Sequence, residues 1–375
     1  MDKSLLNFTA SPESLRWEYS NLNFGEYLLW NEELIKKSRC DLTFKDEQKI
    51  INANKPFEFK PTTATKHGIL LIHGLLSCPF AMHDLGQHLV KRGFLVRSIL
   101  LPGHGTRPGD LRDINLEDWL ATVEFGLNSL KQDVTHLWVS GLSGGASLAI
   151  LSTLIRKDIE GLLLFAPSIR LSNPLARFSP LINQLNMRFG WDYWPDLDQE
   201  VDYTKYHSYP VHFATQAYRL TQTLRRMLKK QSVTCPVWMA MSEDDETVSV
   251  KAVLSFFQHC SNPQNRLLWY AKKAPPTKNK RIIYRPSSFP SENVLDFSHA
   301  CLTFSPHNSH YGIEGDYLAP LHVPVNLLTD YIVYHGALTR YNLKHYAMRR
   351  LLYNPDFIGM TQELDKFITA VLSHE

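Results

Sequence analysis

The chain has 375 residues, of which 44% are apolar and 11% aromatic, so it can fill one large hydrophobic core. Its formal net charge of +3 is small for this length, and Lys and Arg are scattered apart from the run KKAPPTKNKR at 272–281, which is typical of a solvated loop. This charge pattern argues against a nucleic-acid-binding protein.

Targeting and redox features are those of an ordinary globular protein. The N-terminus, MDKSLLNFTASPESLRWEYS, lacks the apolar core and cleavage site of a signal peptide, and no apolar run reaches the roughly 18 to 20 residues that span a bilayer. We therefore expect a cytoplasmic protein. The cysteines are odd in number, widely spaced and without a CxxC pair, so they indicate neither a disulfide framework nor a zinc site. They are Cys40, Cys78, Cys235, Cys260 and Cys301.

Residues 1–60 precede the first predicted strand and are rich in large aromatic side chains. Among these are Trp17, Tyr19, Phe24, Tyr27 and Trp30. Aromatic side chains contribute large apolar areas to hydrophobic cores. We therefore expect residues 1–60 to form an N-terminal extension packed on the core.

Short apolar runs bounded by glycine or proline alternate with helix-periodic segments from about residue 66 onward. This alternation predicts an α/β fold class, with a mostly parallel central sheet flanked by helices. The predicted strands are 68–74, 94–103, 136–141, 161–169, 236–242 and 293–300. The predicted helices are 79–93, 115–132, 146–157 and 249–260, the second of them capped by Asn115.

Residues 171–233 interrupt this alternation. The segment is aromatic-rich and far longer than the usual 2 to 6 residue connection, so it predicts an inserted cap, and the core would then comprise residues 61–170 and 234–375. Four of its aromatic residues either line a lid over an apolar acyl group or form the cap's own core. They are Phe189, Trp191, Tyr193 and Trp194.

Ser143 lies in Gly141-Leu-Ser-Gly-Gly145, directly after a predicted strand and before a predicted helix. The glycines of a G-x-S-x-G motif let strand and helix approach closely, and the strained turn exposes the serine hydroxyl. A simple turn residue is the alternative. In this context the motif predicts that Ser143 is a nucleophile.

A nucleophilic serine needs a base, and the base needs a carboxylate that holds its ring in one tautomer. In PVWMAMSEDDETV, Asp245 follows a predicted strand and is the preferred acid, with Asp244 in reserve. An acidic helix start is the alternative interpretation. His299 is the candidate base, and the chain order Ser143, Asp245, His299 is that of an α/β-hydrolase triad.

The oxyanion formed in acyl transfer needs hydrogen-bond donors. The backbone N–H of Gly144 follows the nucleophile, and the N–H of Leu75 lies in the loop after the predicted strand GILLIHG. These two groups are the predicted oxyanion hole.

The histidines 299, 307 and 310 raise the question of a metal site. Their spacing, H-x7-H-x2-H without a matching carboxylate, fits no common site, so we predict no metal and no cofactor. His307 and His310 are expected to be loop histidines.

Four stretches resemble, in order and spacing, the carboxylesterase and monoacylglycerol-lipase branch of the α/β-hydrolase superfamily, with serine-aminopeptidase-like hydrolases close by. They are GILLIHGLL, ILLPGHGTRPGDL, NLEDWL and VSGLSGGASLAIL. The resemblance is specific over about 66–168 and thins over 234–300. It implies Ser143 as nucleophile, Asp245 as acid and His299 as base, with Leu75 and Gly144 as oxyanion donors. Ser242 replaces a familiar glycine in the acid loop.

The leading hypothesis is therefore a serine hydrolase of carboxylic esters with apolar acyl groups, of the carboxylesterase, acylglycerol-lipase or lysophospholipase type. The partner would be a small-molecule ester or lipid, with transient contact to a membrane surface as one option and no nucleic acid. Thioesters, amides and peptides are alternatives, because the fold does not choose among them. A non-catalytic binding protein on the same scaffold is a further alternative.

Overall fold

The computed structural model describes residues 6–11, 22–43, 45–274, 278–325, 327 and 331–373. The chain divides into two compact units, residues 1–160 with 173–231, and residues 161–172 with 232–375. Each unit combines neighbouring β-strands with helices, which confirms the predicted α/β class. In the described ranges no helix is both long and apolar enough to cross a membrane.

The first unit contains four neighbouring strands and seven helices of α type among its described residues. The strands are β1 (Phe57–Phe59), β2 (His67–Ile72), β3 (Leu95–Ile99) and β4 (His136–Leu142). The helices are α1 (Phe24–Ser38), α2 (Glu47–Asn54), α3 (His83–Lys91), α4 (Leu116–Lys131), α5 (Gly144–Ile155), α6 (Ser179–Phe189) and α7 (Val211–Leu228).

The strands of the first unit lie in the order β1-β3-β2-β4. Strand β1 is antiparallel to β3, whereas β2 is parallel to both β3 and β4. Almost every residue of β2, β3 and β4 is buried. Parallel strands covered on both faces have this near-continuous apolar pattern, which is why the sequence identified them.

The N-terminal residues that the structure describes are partly buried in the first unit. Phe24 and Tyr27 are buried, and the Tyr27 hydroxyl donates to the Leu100 carbonyl at 3.2 Å and accepts from the Leu100 N–H at 3.0 Å. Trp17 and Tyr19 lie outside the described residues. The extension and the other predicted domain boundaries stay a prediction.

The second unit contains two groups of strands. Strand β5 (Ile159–Phe165), whose first two residues belong to the first unit, is followed by β6 (Val237–Ser242), β7 (Arg266–Ala271) and β8 (Ile282–Pro286). These four lie parallel in the order β5-β6-β7-β8. A smaller sheet has the order β10-β11-β9, from β9 (Leu321–His322), β10 (Val333–Gly336) and β11 (Ala347–Arg350). The helices are α8 (Val250–His259), α9 (Arg340–His345) and α10 (Phe357–Leu372).

One predicted strand, 293–300, is wrong. These residues form a loop, and Asn293 has a left-handed φ of 55° that interrupts an extended backbone. The apolar residues that suggested a strand, Val294 and Phe297, are buried in this loop. The sheet is extended instead by β7 and β8, which the sequence analysis did not predict. The other five predicted strands and all four predicted helices are confirmed.

Residues 171–233, the predicted cap, contain α6 and α7. Phe189, Trp191 and Tyr193 are exposed and Trp194 is half-buried, so the alternative in which these four form the segment's own core is wrong. The buried residues of helix α6 are instead polar, namely Ser179 and Asn183. The Asn183 amide lies 3.4 Å from His212 Nδ1 of α7.

Candidate active site

Ser143 occupies the single residue between strand β4 and helix α5, as the motif predicts. Its φ of 54° and ψ of −115° are strained for a residue with a side chain. A β-carbon added at Gly141 would lie 2.4 Å from the carbonyl carbon of Gly145, so only glycine allows the chain to turn this tightly. The strain at Ser143 is therefore imposed by a very close approach of strand and helix.

The first turn of helix α5 also contacts the end of strand β2. A β-carbon added at Gly145 would lie 2.3 Å from the His73 carbonyl oxygen and 2.4 Å from that of Ile72. Both contacts are with backbone atoms, which cannot move aside without disturbing the sheet. The glycine at position 145 thus positions the loop after β2 beside Ser143.

The two predicted oxyanion donors belong to neighbouring segments of the first unit. A β-carbon added at Gly144 would lie 2.5 Å from Cγ of Leu75, and one added at Gly74 would lie 3.6 Å from Cβ of Ser143. The Leu75 side chain therefore packs against Gly144, and Gly74, which precedes Leu75, lies beside Ser143. Backbone N–H groups in this arrangement can stabilise a negatively charged oxygen.

His73 holds the loop after β2 in place. Its Nδ1 donates to the Gly74 carbonyl at 2.8 Å, and its Nε2 accepts from the Leu101 N–H at 3.0 Å. Burial, and to a lesser extent His104, lowers the pKa of His73 well below its usual value. A neutral ring is required, because only one of its two nitrogens can donate in this pattern.

In the second unit, Asp245 and His299 form a close pair. The Asp245 Oδ2 lies 2.7 Å from His299 Nδ1, and the other carboxylate oxygen accepts the N–H groups of Thr247 at 2.8 Å and Val248 at 2.9 Å. The Asp245 side chain is 1% exposed and that of His299 is 12% exposed. A carboxylate fixed in this way can orient an imidazole ring.

The reserve candidate, Asp244, has different partners. Its carboxylate lies 3.8 Å from Lys272 Nζ, and Lys272 in turn contacts Asp296 at 2.9 Å. Burial, together with repulsion from Asp296, raises the pKa of Asp244 to about 6. Of the two candidates, Asp245 is the one whose carboxylate contacts the His299 ring.

His307 and His310 differ from each other. Both lie in loops, as expected, but His307 is exposed, whereas His310 is buried and its Nδ1 lies 2.5 Å from Asp316 Oδ1. The carboxylate partner was missed because it follows His310 by six residues, outside the pattern considered. Across the parts of the chain that the structure describes, no three His, Cys, Asp or Glu side chains are arranged to hold a metal ion.

Comparison with known proteins places the chain in a family. Residues 63–274, more than half of the chain, match the family described as serine aminopeptidase, S33. The matched region includes Ser143 and Asp245 and ends before His299. The match confirms the resemblance seen in the sequence motifs and, with it, the α/β-hydrolase fold.

Individual relatives cover part of the chain. A thermostable monoacylglycerol lipase from Bacillus sp. (strain H-257) is 27% identical over 202 residues, which cover 54% of this chain and 79% of the relative. A carboxylesterase from Bacillus subtilis (strain 168) is 31% identical over 97 residues, 26% of this chain and 38% of the relative. The solved structure of Paleococcus ferrophilus monoacylglycerol lipase is 15% identical with a TM-score of 0.49, covering 58% of this chain and 88% of that chain.

Substitution of Gly145 tests the close approach of α5 to β2. The added β-carbon of Gly145→Ala would clash with two backbone carbonyl oxygens, and such overpacking should lower the free energy of unfolding by about 2 to 3 kcal/mol. Gly74→Ala is the matched control, since its β-carbon meets nothing closer than 3.6 Å. Urea unfolding measures both variants, and equal stability of the two would contradict the close approach.

The pH dependence of stability tests the environment of Asp244. Its pKa is raised from 3.8 to about 6, so the native state binds the proton more readily than the unfolded state, and this group's stabilising contribution is lost as the pH rises from about 4 to about 6. Asp244→Asn should therefore raise the free energy of unfolding at pH 8 by about 1 kcal/mol, allowing for solvent screening of this partly exposed group.

The advantage of Asp244→Asn should disappear towards pH 4, where the wild-type carboxyl is protonated. Urea midpoints of wild type and variant at pH 5, 6.5 and 8 measure the trend. A variant that is less stable than wild type at pH 8 would show that attraction to Lys272 outweighs the cost of burying the Asp244 charge.

Proposed function

The chain belongs to the serine aminopeptidase S33 family, and from this premise we propose that it hydrolyses carboxylic esters through an acyl-enzyme intermediate on Ser143. The observation that carries the proposal is the strained turn at Ser143, with Gly144 next in the chain and the Leu75 side chain packed against Gly144. A turn residue with no catalytic role would gain nothing from the strain that φ 54° imposes.

We assign the base and the acid to the pair in the second unit. Asp245 bonds to Nδ1 of His299 and thereby leaves Nε2 as the nitrogen that accepts a proton. The Asp245 carboxylate is itself fixed by two backbone N–H groups. This arrangement supports a role for His299 as general base in the first half of the reaction and general acid in the second.

The proposed reaction has two steps. Ser143 Oγ attacks the ester carbonyl carbon while its proton passes to His299 Nε2, and the resulting oxyanion accepts hydrogen bonds from the N–H groups of Leu75 and Gly144. Collapse of this intermediate breaks the bond to the alcohol oxygen, which leaves with the proton from His299. Water, deprotonated by His299, then attacks the acyl-enzyme and releases the carboxylic acid and Ser143.

The relatives support an ester substrate over the alternatives. Their names describe one as a monoacylglycerol lipase and another as a carboxylesterase. A thioester or an amide would use the same nucleophile and base, and peptidase activity is kept as an alternative because the family is described as serine aminopeptidase. A binding protein without activity would need neither the strain at Ser143 nor the Asp245–His299 pair.

Helix α6 supports contact with a lipid surface. It buries Ser179 and Asn183, while most of its exposed residues are apolar, among them Leu181, Leu185 and Met187. Residues 173–191 contain Arg177 and Arg188 but no acidic residue. A helix with an exposed apolar face and flanking cations is suited to an anionic lipid–water interface, where apolar esters accumulate.

Activity-based labelling tests the nucleophile. We expect a fluorophosphonate to label wild type and not Ser143→Ala, because the probe bonds to an activated serine oxygen. p-Nitrophenyl ester turnover should fall by about 10⁴-fold or more in Ser143→Ala and His299→Gln and strongly in Asp245→Asn, and Asp244→Asn is the matched control that should retain turnover. Acyl chains from acetate to laurate measure the preference for apolar groups.

Two outcomes would contradict the proposal. Folded wild-type protein with neither labelling nor turnover on esters, thioesters and amides would favour the binding-protein alternative. Loss of turnover in Asp244→Asn with retention in Asp245→Asn would show that Asp244, and not Asp245, is the acid that orients His299.

Co-sedimentation with vesicles tests the lipid-surface contact. The double variant Leu181→Ser with Leu185→Ser removes apolar area from the exposed face of α6 and should weaken binding to phosphatidylglycerol vesicles by about tenfold. Leu318→Ser is the matched control, because Leu318 is similarly exposed but lies in the second unit. Equal loss in both variants, or no binding by wild type, would contradict the contact.

A further inference from the structure

Two successive carboxylates of the loop after β6 contact the same residue. Asp245 bonds to the ring of His299, whereas Glu246 Oε2 accepts the backbone N–H of His299 at 3.1 Å. The first contact orients the imidazole ring and the second fixes the backbone from which the ring extends. The two contacts therefore restrain different degrees of freedom of one side chain.

Glu246 is itself held from the small sheet. Its other carboxylate oxygen forms an ion pair with Arg350, the last residue of strand β11. The Glu246 side chain is 13% exposed and that of Arg350 is 26% exposed. Charge-assisted contacts with little access to water are stronger and better defined than those on an open surface.

The residues after Arg350 hold the His299 loop directly. The Ser298 hydroxyl donates to the Leu351 carbonyl at 2.6 Å, and the Asn354 N–H donates to the Phe304 carbonyl at 2.9 Å. The Asn354 amide also donates to the Leu302 carbonyl at 3.3 Å. The segment that contains His299 is thus connected to residues 351–354 on both sides of the histidine.

A further connection lies three residues before His299. The buried Asp296 accepts the Ala337 N–H at 2.7 Å, the Asn342 amide at 2.9 Å and Lys272 Nζ at 2.9 Å. Ala337 follows strand β10, and Asn342 lies in helix α9. The small sheet and its helix therefore restrain the His299 loop at several points, all of them beyond the residues that match the family.

We propose that Glu246 is a positioning residue for His299, and that Arg350 holds Glu246 in the required orientation. The inference rests on the proposed function, because it assigns His299 as the base. Its new content is the role of Glu246 and of the small C-terminal sheet. Neither residue contacts the reacting atoms, and both act through the placement of the imidazole ring.

The physical consequence is a rate effect separate from substrate binding. Without Glu246, the backbone N–H of His299 loses that carboxylate as its acceptor. The backbone at His299 can then shift, even if the ring keeps its hydrogen bond to Asp245. Displacement of a catalytic group by about 1 Å can cost about 100-fold in rate. Because no part of Glu246 is assigned to the substrate, KM should change little.

The experiment compares Glu246→Leu, Glu246→Gln and Glu243→Leu. Glu246→Leu removes the acceptor, whereas Glu246→Gln retains an oxygen that can accept the His299 N–H. Glu243→Leu is the matched control, since Glu243 lies in the same loop and accepts a backbone N–H, that of Lys272, at 2.8 Å. Active sites are titrated with a fluorophosphonate, so that unfolded protein does not lower the measured kcat.

We expect kcat per titrated site to fall about 10- to 100-fold in Glu246→Leu, with KM changed less than about twofold. Glu246→Gln should recover only part of this loss, because its single oxygen can accept the His299 N–H while its NH2 group cannot accept from Arg350. Glu243→Leu should leave kcat per site unchanged. Arg350→Met should lower kcat in the wild-type background but have little further effect in Glu246→Leu, because the two residues act in sequence.

Hydrogen exchange gives a readout that does not depend on activity. The peptide that contains the His299 amide should exchange faster in Glu246→Leu than in wild type, and Glu243→Leu should not change it. A wild type without turnover would contradict the proposed function, while the exchange rates would still decide whether Glu246 restrains His299.

Three results would overturn the inference. In the first, Glu246→Leu keeps wild-type kcat per titrated site, even if its thermal stability falls, which would make the role of Glu246 structural only. In the second, KM rises while kcat is unchanged, which would assign Glu246 to substrate binding. In the third, exchange of the His299 amide is the same in Glu246→Leu and wild type.

Discussion

The close approach of helix α5 to strands β2 and β4 is the constraint on which the first unit's candidate site depends. Backbone atoms of three segments approach so closely at Gly141 and Gly145 that a β-carbon added at either glycine would clash with backbone atoms of a neighbouring segment. This packing forces Ser143 into a left-handed conformation and places the loop after β2 beside it. Strain at one residue is thus sustained by the packing of an entire sheet and helix, which can absorb a local cost of about 1 to 3 kcal/mol.

In the second unit, four successive acidic residues each contact a different group. Glu243 accepts the Lys272 N–H, Asp244 lies beside the Lys272 ammonium group, Asp245 contacts the His299 ring and Glu246 contacts the His299 backbone. Their environments differ, since burial raises the pKa of Asp244 while two backbone N–H groups fix Asp245. Adjacent residues of one type can therefore have separate roles, because each carboxylate faces a different part of the fold.

Short-range patterns in the sequence were sufficient for five strands, four helices and the turn at Ser143. Parallel strands such as β2 and β4 are buried along almost their whole length, so they appear as apolar runs bounded by turn residues. The G-x-S-x-G motif predicted both the turn at Ser143 and the glycines that permit it, because these interactions span only five residues. The same reasoning failed at 293–300, where buried Val294 and Phe297 imitate a strand but belong to a loop.

The sequence by itself determined the α/β class and the nucleophile candidate, since the strand and helix patterns and the G-x-S-x-G motif each depend on residues near one another in the chain. Only the tertiary structure decided which carboxylate contacts His299, because Asp244 and Asp245 are adjacent in the sequence. In the structure Asp244 lies beside Lys272, which also contacts Asp296, whereas Asp245 contacts the His299 ring. The tertiary structure also revealed the exposed apolar face of α6 and the link from Glu246 to Arg350, which lie 104 residues apart. No local pattern encodes such pairs, because their partners are brought together by the packing of separate elements.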